Sequence, residues 1–191
     1  MILRELFHLN EIPPEVIQEE PIAPEDALRT VFGLLTQGNE AVAGAVSDCI
    51  ADTRGYFSAR EDILEGRGLQ YSPEAEPWLR VIAAAEACEE RGFLVRLDAG
   101  CSPAAFTEAV RKVLKASGIV FSVDRLVFDK EKNLAAWTGL FNEYAGQSGI
   151  TLYFVELYGE GAVMGVSEIA DYAEAAETAG FAGLKITCRP G

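Results

Sequence analysis

The side chains best suited to chemistry gather at one point in the sequence. Arg96, Asp98 and Cys101 lie close together, and Ser102-Pro103 after them reads as the cap and first turn of a helix. A thiol just ahead of a helix N-terminus can be held as the thiolate by the helix dipole, so Cys101 is a candidate nucleophile. Such a nucleophile works with a base at its side, and the one histidine, His8, lies far away in sequence. The competing reading is a loop cysteine packed at a strand end. Asp98 and Glu156 fall on segments expected to be neighbouring strands, where two carboxylates would suit acid–base work. Arg96, two residues from Asp98, would neutralise either one as a cross-strand ion pair. No second catalytic residue type stands nearby, which favours that structural role.

Other patterns point away from cofactors and metals. Gly159, Gly161 and Gly165 have neither the dinucleotide nor the Walker spacing and lead into an expected strand, so they read as a hairpin turn. One histidine and four scattered cysteines (Cys49, Cys88, Cys101 and Cys188) give no zinc spacing. Glu86, Glu89 and Glu90 would offer oxygens to magnesium or calcium, but read most simply as the wet face of a helix. Trp78, Trp137, Tyr153 and Phe154 sit at regular helix and strand positions, which places them in the core ahead of any pocket.

The elements that position these groups centre on Trp78 to Asp98. Trp78, Val81, Ile82, Ala85 and Cys88 recur at helical spacing, and Leu79, Ala83, Ala84 and Ala87 widen the stripe. Only Arg80, Glu86, Glu89, Glu90 and Arg91 are left for solvent, so this helix is covered on more than one side. Gly92 stops it, and Phe93, Val95 and Leu97 then alternate as a strand. Ahead of it, residues 1–9 form a short strand or a helical turn and residues 10–24 a proline-rich acidic connector. Three short helices follow: Pro24 to Gly38, Asn39 to Gly55, and one opened by a Ser58/Glu61 capping box.

Behind the central helix and strand, the spacing predicts a helix from Ser102 to Gly118. Another, capped by Asn133, carries Leu134, Trp137, Leu140, Phe141 and Tyr144 on one face. Residues 119–129 suit a strand or an irregular buried segment. Ile150 to Tyr158 is almost continuously apolar, as an interior strand is, and pairs with Ala162 to Val166 as a hairpin. Ser167 then caps a helix with Ile169, Tyr172, Ala173 and Ala176 as its stripe, Gly180 stops it, and Leu184 to Thr187 is the closing strand. The fold class that follows is α+β. An acidic helical region over residues 1–72 joins an α+β body over residues 73–191 in one compact unit. The body holds a mainly antiparallel sheet of about four strands with helices packed on it, in a layout related to the split β-α-β (ferredoxin-like) arrangement. The extra helix ahead of the hairpin leaves the strand order open.

The run E-E-R-G-F-L-V-R-L-D, with Trp78 before it and Phe106 to Gly118, Trp137 to Tyr158 and Gly180 to Thr187 after it, resembles a bacterial family known as a domain of unknown function. The resemblance covers roughly the last 115 residues, from Trp78 onward. It implies a fold, with the acidic front as a form of the family's helical lead-in, and brings no activity or catalytic residues.

The net charge is −14, and residues 1–92 hold 18 acids against 7 arginines while residues 93–191 hold 12 acids against 9 bases. Nucleic acid and anionic membrane surfaces are poor partners for such a chain. No apolar run reaches the roughly 18 to 20 residues of a membrane span, and the N-terminus lacks the order of a signal peptide. These features and the scattered cysteines predict a reduced, cytoplasmic protein. The leading reading is a non-enzymatic bacterial module, regulatory or immunity-type, that binds a basic protein through an acidic helical surface or a sheet edge. Simple solubility is the other account of the acidity. The alternative function is an enzyme or small-ligand binder with its site at the C-terminal end of the first strand, using Asp98, Cys101 and Arg96. An uncovered sheet edge would also suit a homodimer.

Overall fold

The computed structural model describes residues 22–61, 66, 68–98, 100–157 and 161–190. The expectations for residues 1–9, for the connector as far as residue 21, and for residues 62–65 and 158–160 lie outside these. Pro24–Leu35 (α1) starts on a proline whose fixed φ suits a first turn, and it buries Ala27, Leu28, Val31, Phe32 and Leu35. The Asn39 side chain accepts the Val42 N–H at 3.2 Å and opens Glu40–Ala51 (α2). The helix expected from Asn39 to Gly55 breaks at Asp52, whose carboxylate accepts the Gly55 N–H at 2.8 Å and opens Thr53–Ser58 (α3). Ser58 is the last residue of α3, and the helix expected after it, with Ile63 and Leu64, falls mostly outside the described residues.

Glu76–Glu90 (α4) buries Leu79, Val81 to Ala85, Ala87 and Cys88, and its alanines let it lie between α2 on one side and the first strand on the other. Gly92, at φ 81°, reverses the chain into Leu94–Arg96 (β1). Pro103–Ala116 (α5) and Leu134–Ala145 (α6) follow, capped by Ser102 and Asn133 as their sequence predicts. The hairpin is Ile150–Leu157 (β2) and Gly161–Glu168 (β3). Ser167 is paired with Thr151 inside that hairpin, so Ile169–Ala179 (α7) leaves the strand directly, without a side-chain cap. A 3-10 turn, Gly180–Ala182, extends α7 before Gly183 at φ 66° and the last strand, Lys185–Thr187 (β4).

The sheet order is β1-β3-β2-β4, and every neighbouring pair is antiparallel. It follows that β1 and β2 run the same way with β3 between them, and β3 and β4 run the same way with β2 between them. The fold is thus two interlocked split β-α-β units that share one hairpin. Both crossovers step in the same direction across the sheet, but the strands of the second run opposite to those of the first. Two right-handed crossovers must then place their helices on opposite faces. They do: α5 and α6 cover Ile150, Leu152, Phe154, Met164 and Val166, while α1, α4 and α7 cover Tyr153, Val155, Leu157 and Val163. This double cover is why β2 reads as an unbroken apolar run.

Residues 119–129 take the irregular alternative. Phe121 packs edge-on to Phe141 at 5.2 Å and Phe128 to Phe106 at 4.9 Å, while Val120 and Val127 point to solvent. Helix α6 is also rotated from its expected stripe: Trp137, Thr138, Phe141 and Ala145 are buried, whereas Leu140 and Tyr144 are surface residues. The cause is Asn142, whose side-chain amide faces the sheet. It accepts the Leu152 N–H at 2.7 Å and donates to the Leu152 carbonyl at 3.1 Å. The short β4 pairs with residues 154–156 of β2 alone, and Asn142 serves the next stretch of that strand.

Candidate functional site

Of the residues expected to form a site after β1, Asp98 and Cys101 lie together at one turn, while Glu156 is held apart from them. Because β3 lies between β1 and β2, Asp98 and Glu156 are not on neighbouring strands, and the proposed carboxylate pair does not form. Glu156 instead pairs with Lys185 of β4 at 2.7 Å. Arg96 reaches back to Glu89 of α4 at 2.9 Å. Cys101 closes a tight turn, its N–H donating to the Asp98 carbonyl at 2.9 Å, and packs half-buried against the α5–α6 core. Burial, and then the Asp98 carboxylate, push the thiol pKa up, so the helix dipole does not deliver a thiolate here. At neutral pH Cys101 is expected to react with iodoacetamide more slowly than a cysteine of the unfolded chain, and Asp98→Asn to speed it. Peptide-resolved mass spectrometry over a time course checks this, and alkylation faster than that of the unfolded chain would contradict it.

A cleft of about 500 Å³ between α2, α3 and α4 is lined by Asp48, Cys49, Asp52, Tyr56, Arg60 and Glu90 among others. Its polar groups largely satisfy one another. The Tyr56 hydroxyl donates to Glu86 at 2.6 Å, and the Arg60 guanidinium stacks on the Tyr56 ring at 3.9 Å and meets Glu90 at 3.4 Å. Burial pushes the Cys49 thiol up to about 11, which keeps it neutral. Glu86 and Glu89 are therefore structural partners rather than the wet face the sequence suggests. Trp137 and Phe154 lie on one face of the sheet and Tyr153 on the other, so these aromatics build two cores and not one pocket. Among the described residues, no group of three His, Cys, Asp or Glu side chains could hold a metal ion. No helix among them is long and apolar enough to cross a membrane.

The charge of the folded surface differs from the charge along the halves of the chain. In the acidic front, Asp26 pairs with Arg29, Glu25 and Glu76 with Arg80, and Glu90 with Arg60. The back half looks nearly balanced only because it is segregated. Residues 103–132 hold Arg111, Lys112, Lys115, Arg125, Lys130 and Lys132 against four acids. Residues 133–184 hold seven acids and no base at all. Four of those seven, Glu168, Asp171, Glu174 and Glu177, lie at the start of α7 or along it, and none of the four has a cation partner among the described residues.

Helix α7 presents this charge with an unexpected face. Its inward side is Ala175, Thr178 and Ala179, while Ala170, Glu174, Glu177 and Phe181 form an exposed stripe at helical spacing. Ile169, expected to face the core, is 43% exposed, and Phe181 is 51% exposed. A cavity of about 430 Å³ at the start of α7 is lined by Leu34, Gln37, Glu168 and Asp171 among others, next to the C-terminal end of α1. That end carries the negative pole of the helix dipole, which adds to the two carboxylates. The signal for this face was available in the sequence as the absence of Lys and Arg from residue 133 to 184.

The family model described as a domain of unknown function, DUF6630, matches residues 27–191. It extends beyond the stretch that carries the resemblance and takes in α1, α2 and α3. No curated protein and no solved structure matches the chain.

Proposed function

We propose that this chain, which belongs to the family described as the domain of unknown function DUF6630, is a cytosolic bacterial module that binds a basic protein on the outer face of α7 and does no chemistry itself. The observation that carries the reading is the α7 face, with carboxylates that have no cation partner among the described residues and two exposed large apolar side chains, Ile169 and Phe181. Large exposed apolar side chains rimmed by one sign of charge are a feature of protein-binding surfaces. Small residues at Ala170 and Ala173 let a partner backbone come close. A sheet edge is the weaker choice, since β1 and β4 are three residues each and offer a short ladder. The alternative site at the end of β1 has less support, because Arg96 and Glu156 are held in ion pairs and the Cys101 thiol is raised.

The test is a pull-down from native lysate with the wild type, a face variant (Glu168→Gln, Glu174→Gln, Glu177→Gln) and a control variant (Glu40→Gln, Glu74→Gln, Glu108→Gln). Both variants change the charge equally at exposed positions. The expected result is one stoichiometric basic protein on the wild type and the control. It is lost from the face variant, and from the wild type at about 1 M salt, where the Debye length falls to about 3 Å. Equal retention by both variants would remove the α7 assignment.

A further inference from the structure

The opposite face of the sheet carries a surface of the reverse chemistry. Val120 is 98% exposed, although the same segment buries Val123 and Phe128. Beside it, Phe121 is half-buried and packs edge-on to Tyr144 with ring centroids 6.1 Å apart. Tyr144 and Leu140, one helical turn apart on α6, are 40% and 38% exposed. Val120 and Phe121 line a cavity of about 450 Å³ together with Arg111 and Lys115. The charged side chains of the lining are Arg111, Lys115 and Asp124, an excess of one base in a protein of net charge −14, and they belong to the stretch 103–132 where bases outnumber acids.

We propose that this cavity and the Val120–Phe121–Tyr144 surface beside it dock a short acidic peptide with a large apolar side chain. The apolar side chain enters the cavity against Val120 and Phe121, and the peptide carboxylates meet Lys115 and Arg111. Arg111 now pairs with Asp124 at 2.7 Å, but both side chains are more than half exposed, so the pair is weak and its guanidinium can exchange Asp124 for a peptide carboxylate. A basic peptide would meet like charge at both positions. This inference is independent of the α7 reading, which concerns the other face and a partner of opposite charge.

The experiment is a phage selection of random peptides of about 12 residues, long enough to carry an anchor and its flanking charges, against the full chain. Enriched sequences are then synthesised and titrated by fluorescence anisotropy. The expected consensus has one or two aromatic or aliphatic anchors among Asp and Glu. Its affinity should fall about tenfold or more on Val120→Asp and on Lys115→Glu, and stay within about twofold on Glu174→Gln/Glu177→Gln. Both test positions are exposed, so neither change threatens the fold. An enriched consensus without acids, no consensus at all, or a consensus indifferent to Val120→Asp would overturn the proposal. Sedimentation that shows a dimer dissolved by Val120→Asp would also overturn it, by giving the surface to a second copy of the chain.

Discussion

Gly165→Ala is expected to lower the free energy of unfolding by about 3 kcal/mol, the upper end of the cost of overpacking a core, and Gly165→Val to prevent folding. Gly165 sits opposite Tyr153 in the hairpin, and the tyrosine ring lies directly over it. A Cβ built there would stand 2.3 Å from the Tyr153 hydroxyl oxygen and 2.9 Å from Leu94 Cδ2. Tyr153 is fully buried and Leu94 nearly so, which leaves neither room to withdraw. The position thus ties β1, β2 and β3 at one point, where α1 also arrives through the weak Tyr153 hydroxyl bond to the Leu35 carbonyl. Urea unfolding at neutral pH measures the loss. The double variant Gly165→Ala/Tyr153→Leu should cost less than the sum of its parts, because the ring that clashes is gone. A Gly165→Ala protein within about 0.5 kcal/mol of wild type would show that this packing is not as described.

Asn142→Ala is expected to cost about 1 to 3 kcal/mol, since it strands the Leu152 N–H in a buried place, while the Leu152 carbonyl keeps the Thr151 hydroxyl as a donor at 3.1 Å. Leu152 is fully buried, so water does not replace the amide. Asn142 also donates to the Cys188 carbonyl at 3.4 Å and so links the sheet to the residue that follows β4. Asn142→Asp keeps an acceptor for the Leu152 N–H but sets a carboxylate against two carbonyls, and should do little better than alanine. Amide hydrogen exchange at Leu152 gives the specific readout: its protection should fall more than that of Val163, which lies on the far side of the hairpin. Unchanged protection at Leu152 would contradict the role.

Most of the architecture could be read from the sequence, and the exceptions share a cause. Helix α4, the stop at Gly92, the interior strand β2 and the order strand, helix, helix, hairpin, helix, strand all follow from spacing and turn residues. Each is a local property. The orientation of α6 and α7 is not local. In α6, Leu140 and Tyr144 fit the apolar stripe as well as Trp137 and Phe141 do, and the decision is made by Asn142, whose partner is ten residues away across the sheet. In α7, the stripe through Ile169 and Ala173 competes with one through Ala175 and Ala179, and the close packing of α1 against α7 selects the smaller side chains. Periodicity gives the existence of a stripe, and the neighbour chooses which stripe is buried.

The same limit applies to the candidate sites. Asp98, Cys101 and Arg96 are near each other in sequence, and β3, inserted between β1 and β2, keeps Glu156 away from them. The acids of the front half look like a binding surface in a count of charge, yet several of them are tied to Arg29, Arg60 and Arg80 once the helices pack. The back half, with a count near balance, divides into a basic side over α5 and the loop after it and an acidic side along α7. A net charge over a hundred residues conceals a pattern that windows of thirty to fifty residues reveal.

The most direct test of the central claim is hydrogen–deuterium exchange of the chain alone and in complex with the basic protein it retains. Binding at the proposed face should slow exchange in the peptides that cover residues 168–182 and leave those of α5 and residues 119–129 unchanged. Protection confined to α2, α3 and α4, or to the end of β1, would contradict the account and move the functional site to the Tyr56–Arg60 cleft or to Asp98 and Cys101.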